Sequence, residues 1–172
     1  MIETAADKTA DWIYKHSSQS QASKEVLHYA LVIYLNGLAI IIVSFLIGAV
    51  LGKPAETLLA LFAFSLLRAF SGGNHFPTAF SCFLFSVVSF TTVPHIPEPE
   101  IWLQYALLTI CLILALRYAP NLASDPIVSN KLLPYMKWIA VTIIATNFFI
   151  TSWVLTLVYL LQCLSLIPWQ RR

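Results

Sequence analysis

Charge is what this chain has least of. Only 10% of its 172 residues are Asp, Glu, Lys or Arg, and the formal net charge is +2. Soluble domains devote about a quarter of their residues to charge, and nucleic-acid binders gather Lys and Arg on one face. Neither pattern is present, so a soluble fold and a nucleic-acid partner are both excluded. Cysteine is scarce as well: Cys82, Cys111 and Cys163 stand far apart, each in an apolar segment. That excludes a disulfide framework and a CxxC metal site. A cleavable signal peptide is not expected, because the first 25 residues carry seven charges and the apolar run that follows, Val26 to Leu51, is too long for a signal core. No internal repeat or second domain is visible, and residues 1–172 read as a single integral membrane domain.

What is abundant is apolar surface: 59% of the residues are hydrophobic and the mean hydropathy is +0.78. The expected fold is all-α, a polytopic transmembrane helical bundle. Ile2, Ala5, Ala6, Thr9, Trp12 and Ile13 share one helical face while Glu3, Asp7, Lys8, Asp11 and Lys15 occupy the other. Residues 1–24 are therefore read as an amphipathic interfacial segment. About six spans follow within residues 26–167: Val26 to Leu51, Ala55 to Phe70, Phe76 to Val93, Ile101 to Ala119, Leu133 to Phe149 and Thr151 to Ile167. Several fall short of the ~20 residues an upright helix needs, which leaves tilted, short or re-entrant segments open. The uncharged stretch from Trp138 to Gln170 would make one helix of about 50 Å, so a hairpin near Asn147 to Ser152 is preferred to a single long helix.

Six spans put nine of the ten basic residues on the side of the termini and leave only Lys53 opposite. By the positive-inside rule both termini are expected in the cytoplasm of a bacterial cell, at its plasma membrane. The loop His95-Ile-Pro-Glu-Pro-Glu100 then faces outward. Trp102, Trp138, Trp153 and Trp169 fall near span ends, where an aromatic belt is expected. Gly48 and Gly52 form a GxxxG that reads either as a close helix contact or as chance plus a turn.

One segment carries chemistry. Arg68-Ala-Phe-Ser-Gly-Gly-Asn-His-Phe-Pro-Thr-Ala-Phe-Ser-Cys82 places a cation, a Gly-Gly turn, a base and a thiol between two apolar runs. Polar groups beside lipid are costly enough to need a reason. On a straight helix His75 and Cys82 would lie ~10 Å apart, too far to share a proton. A fold-back at Gly72-Gly73, with Pro77 opening the next helix, would bring His75 over Cys82 as a dyad. A thiol is mostly protonated at neutral pH, and a neighbouring imidazolium or a helix N-terminus favours the thiolate. Arg68 and the two glycine N–H groups could then hold a carboxylate or a developing oxyanion.

Each residue also has a plainer reading. An isolated Cys usually packs, Arg68 alone could snorkel to headgroups, and Gly-Gly alone is a loop. Ser86 and Ser89 continue the Cys82 face as a small polar lane, with packing favoured over catalysis. Asp125 could orient His75, but a loop-capping role before Pro126 is favoured. His16 and His28 lack a comparable context. No second His or carboxylate stands at ligand spacing to His75, so no metal or other cofactor is expected.

Arg68, Gly72, Gly73, His75 and Cys82, followed by Ser86, resemble the R-x4-GG-x-H-x6-C signature of the accessory gene regulator B membrane endopeptidases of Gram-positive bacteria. Arg117-Tyr-Ala-Pro120 and Pro126-Ile127 are similar to that family too. The resemblance implies cleavage of a small membrane-associated pro-peptide that becomes a cyclic quorum-sensing signal. Cys82 would be the nucleophile that forms a thioester, His75 its base, and Arg68 and Gly73 positions needed around the site. It also implies a homodimer. Two other classes fit the composition: a non-enzymatic peptide exporter or small transporter, in which Arg68 and His75 line a pathway, and a membrane scaffold for a sensor partner.

Overall fold

A computed structural model describes residues 2–16, 24–74, 78–121 and 132–168, with side chains from Asp7 to Tyr14 and from Glu25 onward in those ranges. These residues form seven α-helices and no strand: α1 (Ile2–His16), α2 (Lys24–Val50), α3 (Pro54–Ser71), α4 (Ala79–Thr92), α5 (Ile101–Tyr118), α6 (Leu133–Ile150) and α7 (Trp153–Ser165). A 3₁₀ turn, Val93–His95, prolongs α4.

The helices α2, α3, α5 and α6 are long and apolar enough to cross a membrane. The expectation of six apolar helices after an interfacial one is met, two of them short. At 1.5 Å per residue the 14 residues of α4 and 13 of α7 reach about 20 Å each, against a hydrocarbon core of about 30 Å.

Lipid tails are as apolar as leucine, so close approach of small residues matters to how the helices associate. Ala60, Ala115, Ala140, Cys111 and Cys163 are fully buried beside the larger Leu67, Leu108 and Ile144, while Phe62, Leu66, Ile113 and Phe149 point outward. Gly48 shows how close the approach becomes: a Cβ there would lie 2.6 Å from Thr57 Oγ1. The two glycines of the GxxxG thus divide the two readings, since Gly48 makes the α2–α3 contact and Gly52, at φ 77°, makes the turn. Beside it Lys53 Nζ donates to Pro94 O at 2.6 Å. The one basic residue expected on that side is therefore held at the end of the 3₁₀ turn, where a cation is favoured.

The shortest of these apolar helices is also the most enclosed. α7 packs between α3 and α5, and seven of its residues, from Trp153 to Cys163, are buried. Being walled by protein, α7 does not need to match the lipid thickness. This corrects one expectation: Trp153 is only 6% exposed and belongs to the interior, whereas Trp102 at 64% and Trp138 at 61% face outward. Trp169 lies outside the described residues.

The α6–α7 hairpin forms where expected, and one long helix is excluded. Thr151 adopts a left-handed conformation at φ 52° and ψ 36°. Asn147, fully buried, donates Nδ2 to Ser152 O at 3.0 Å and to Thr156 Oγ1 at 2.9 Å, and its Oδ1 accepts from Ser152 N at 3.0 Å. At the other end of the chain α1 lies along α2, with Ala10 buried and Trp12 and Tyr14 exposed. His28 has more context than its sequence neighbours give it, because its Nδ1 stands 2.8 Å from Asp7 Oδ1.

Candidate functional site

The site begins where α3 stops. Gly72 takes φ 69° and ψ −147°, which ends the helix, and its N–H still closes on Arg68 O at 2.9 Å. Beyond it the backbone runs as a strap beside residue 121. Asn121 N donates to Ser71 O at 2.8 Å and Gly73 N donates to Asn121 O at 3.0 Å. A side chain at Gly72 would collide with the Asn121 carbonyl. Only glycine satisfies both the torsion and the space.

The strap is fastened to the end of α7. A helix leaves its last carbonyls without partners, and here three carbonyls at that end are used. Asn74 N donates to Ser165 O at 3.0 Å, Asn74 Nδ2 to Ile167 O at 2.7 Å and Asn121 Nδ2 to Leu166 O at 3.1 Å. From inside the bundle the fully buried Gln162 donates Nε2 to Ser71 Oγ at 2.9 Å and to Gly72 O at 2.6 Å. Its Oε1 accepts from Ser165 Oγ at 3.2 Å. A carbonyl can only accept, so the Gly72 contact fixes which way round the amide stands.

Arg68, in the last turn of α3, turns over this strap. Its Nη2 donates to Asn74 O at 2.9 Å and its guanidinium carbon lies 5.9 Å from the centre of the Phe64 ring. Cys82 lies on the first turn of α4, which starts at Ala79 rather than Phe76. Thr78, extended at φ −131° and ψ 147°, is the N-cap: its Oγ1 accepts from Ser81 N at 3.1 Å, and its carbonyl takes the Cys82 N–H at 3.2 Å. The helix dipole at this end favours negative charge on the sulfur.

The three thiols differ in setting. Cys82 is partly exposed, while Cys111 and Cys163 are buried and the Cys163 thiol donates to Cys111 O at 3.5 Å. The packing role expected of those two is what the structure shows. Ser86, one turn beyond Cys82, is buried, and Ser89 is half-buried. His75, Pro77, Asp125, Pro126 and Ile127 lie outside the described residues.

The fold therefore gathers Arg68, Gly72, Gly73 and Cys82 at one end of the bundle. It withdraws one role considered for the glycines. Both N–H groups are committed, Gly72 to Arg68 O and Gly73 to Asn121 O, so neither is free to receive an oxyanion. The glycines instead give a close-fitting strap. Sequence reasoning also misses Asn74, Asn121, Gln162 and Ser165. A signal for Gln162 exists: it is an amide inside the uncharged run from Trp138 to Gln170, and buried polar groups in such runs require partners. Among the described residues no three His, Cys, Asp or Glu side chains are grouped to hold a metal.

Comparison with known proteins places the chain. Protein FsrB of Enterococcus faecalis is 28% identical over 116 residues, which is 63% of this chain and 48% of that protein. A putative AgrB-like protein of Clostridium perfringens is 28% identical over 88 residues, 51% of this chain and 41% of that protein. The chain thus spans about half the length, or less, of these curated relatives. No solved structure matches it. The family model described as Accessory gene regulator B matches residues 6–170. With nearly the whole chain matched, helices, Gly-Gly strap and α4 thiol included, it belongs to the accessory gene regulator B family.

Proposed function

We propose that this protein is a membrane-embedded cysteine endopeptidase that cleaves a small, membrane-associated pro-peptide to give an autoinducing cyclic quorum-sensing peptide. The observation that carries this reading is the contrast between Cys82 and the other two thiols. Cys82 alone is partly exposed, and it alone sits on a capped first helical turn.

In this mechanism His75 takes the Cys82 proton, and the thiolate attacks the scissile carbonyl. The C–N bond then breaks, the proton passes from His75 to the leaving amine, and the acyl group stays on Cys82 as a thioester. A thiol or hydroxyl within the precursor attacks that thioester, which closes the ring and returns the proton to the Cys82 sulfur. Arg68 supplies positive charge where the thiolate and the tetrahedral oxyanion form. The bundle sits in the bacterial plasma membrane with termini and site on the cytoplasmic side, where a precursor lying along the interface meets Cys82, and it works as a homodimer.

The test uses purified protein in detergent and a synthetic precursor with an amphipathic segment, an internal Cys or Ser and an acidic tail. Wild type should release the tail, while Cys82→Ala and His75→Ala should not, at equal membrane abundance. Cleavage by Cys82→Ala at the wild-type rate ends the peptidase reading.

A further inference from the structure

We infer that Gln162 is a positioning residue for the cysteine chemistry, fastening from inside the bundle the Gly72-Gly73 strap on which the Arg68 guanidinium is held. The inference rests on the peptidase reading above and adds a residue from the far end of the chain.

The path is a continuous set of contacts. The Gln162 Nε2 bonds to Ser71 Oγ and Gly72 O hold the strap from beneath. The strap then presents Asn74 O to Arg68 Nη2. Gly73 lies in the slot between the two ends of the path: a Cβ added there would meet Ser165 Oγ at 2.7 Å, Gln162 Nε2 at 3.3 Å and Arg68 Nη1 at 3.4 Å. Arg68 and Gln162 thus both close on one glycine, and a shift of the amide transfers to the guanidinium.

Packing does not require an amide here. A methionine of similar length would fill the fully buried position and would suit the apolar helix better. What methionine lacks is the pair of donors. Without them Gly72 O and Ser71 Oγ lose a partner inside the bundle, and the strap loses its internal fastening while keeping its outer ones at Asn121 and α7. The expected outcome is a well-folded protein whose arginine is misaligned.

The experiment compares wild type, Gln162→Met, Gln162→Glu and Cys82→Ala, purified in detergent, on the same synthetic precursor. N-ethylmaleimide alkylation of Cys82, followed by mass spectrometry, provides a readout independent of cleavage. Gln162→Met should lower kcat by about tenfold, the loss expected when an interaction worth one such hydrogen bond in the transition state is removed. KM should stay within about twofold, and alkylation of Cys82 should slow. Gln162→Glu restores a donor only while its carboxyl is protonated. Its kcat relative to wild type should therefore rise as the pH falls from about 8 to about 6, as for a carboxyl in an apolar site. Wild-type kcat in Gln162→Met, with Cys82→Ala inert, overturns this inference and leaves the peptidase reading standing. A raised KM at unchanged kcat overturns it too, since that would make Gln162 a binding residue. If Gln162→Met does not accumulate, the Gln162→Glu ratio decides, and a ratio flat with pH overturns the inference. No cleavage by wild type removes the peptidase reading and this inference together.

Discussion

Gly72→Ala is the sharpest test of the strap. Gly72 holds φ 69° and ψ −147°, a region that costs a residue with a Cβ about 1–3 kcal/mol. The new methyl would also press on the Asn121 backbone, whose carbonyl carbon would lie 2.8 Å away and whose nitrogen 3.3 Å away. Backbone cannot rotate aside as a side chain does, so the 119–121 segment must retreat. Retreat breaks Gly73 N to Asn121 O and Asn121 N to Ser71 O, each worth about 0.5–1.5 kcal/mol. The total is about 2–6 kcal/mol, against the strap rather than the bundle, since the contacts of α3 with α2, α6 and α7 are untouched. A cost of about 2 kcal/mol already shifts the closed strap about 30-fold toward open.

Amide hydrogen exchange in detergent reads this directly. Peptides covering residues 71–74 and 119–121 should exchange faster in Gly72→Ala, those from the middle of α3 should not, and precursor cleavage should fall in parallel. Gly52→Ala is the control, because Gly52 also has a positive φ, 77°, but a methyl added there would find nothing within 4 Å. It meets the torsional cost without the collision. If Gly72→Ala and Gly52→Ala give the same exchange at the strap, the close approach of Gly72 to Asn121 is not what holds it.

Two further outcomes are expected. Thr78→Ala removes the cap of α4 and about 1 kcal/mol from the turn that carries Cys82; precursor cleavage should drop and Thr78→Ser should restore it, and equal rates for the Ala and Ser variants would refute the capping argument. Orientation can be read by single-cysteine labelling in intact cells: a cysteine at Pro97 should react with an impermeant maleimide, and one at Asn74 only after permeabilisation, whereas labelling of position 74 from outside would reverse the proposed topology.

The helices are legible in the sequence because their signals are local. Apolar runs of the right length give α2, α3, α5 and α6 nearly to the residue, and Asn147 near the middle of an uncharged run gives the hairpin. The errors have a common cause, since most depend on which neighbour a residue meets. Trp153 reads as a belt residue because it starts a span, and nothing in the sequence says that α7 is enclosed by α3 and α5. The Gly73 N–H group reads as free because its partner, Asn121 O, is some fifty residues away in sequence. The start of α4 is a local miss: an apolar run points to Phe76, although Thr78 is a favoured N-cap residue in its own right. At the site, Arg68 and Cys82 are legible as the ends of successive helices, whereas Gln162 acts across 90 residues to reach Gly72 and leaves no local spacing to read.

That long reach bears on how the protein is made. The strap emerges early in synthesis, but the amide and the carbonyls that fasten it belong to α7 and the two residues after it, with Asn74 waiting for Ile167 across 93 residues. At the ~5–20 residues per second of translation, the ribosome needs about 5–20 s after passing Asn74 before the fastening exists. Throughout that interval the nascent chain carries its cysteine without a finished site around it. Assembly of the centre is thereby tied to insertion of α7, and a chain stalled before α7 cannot set the strap against it.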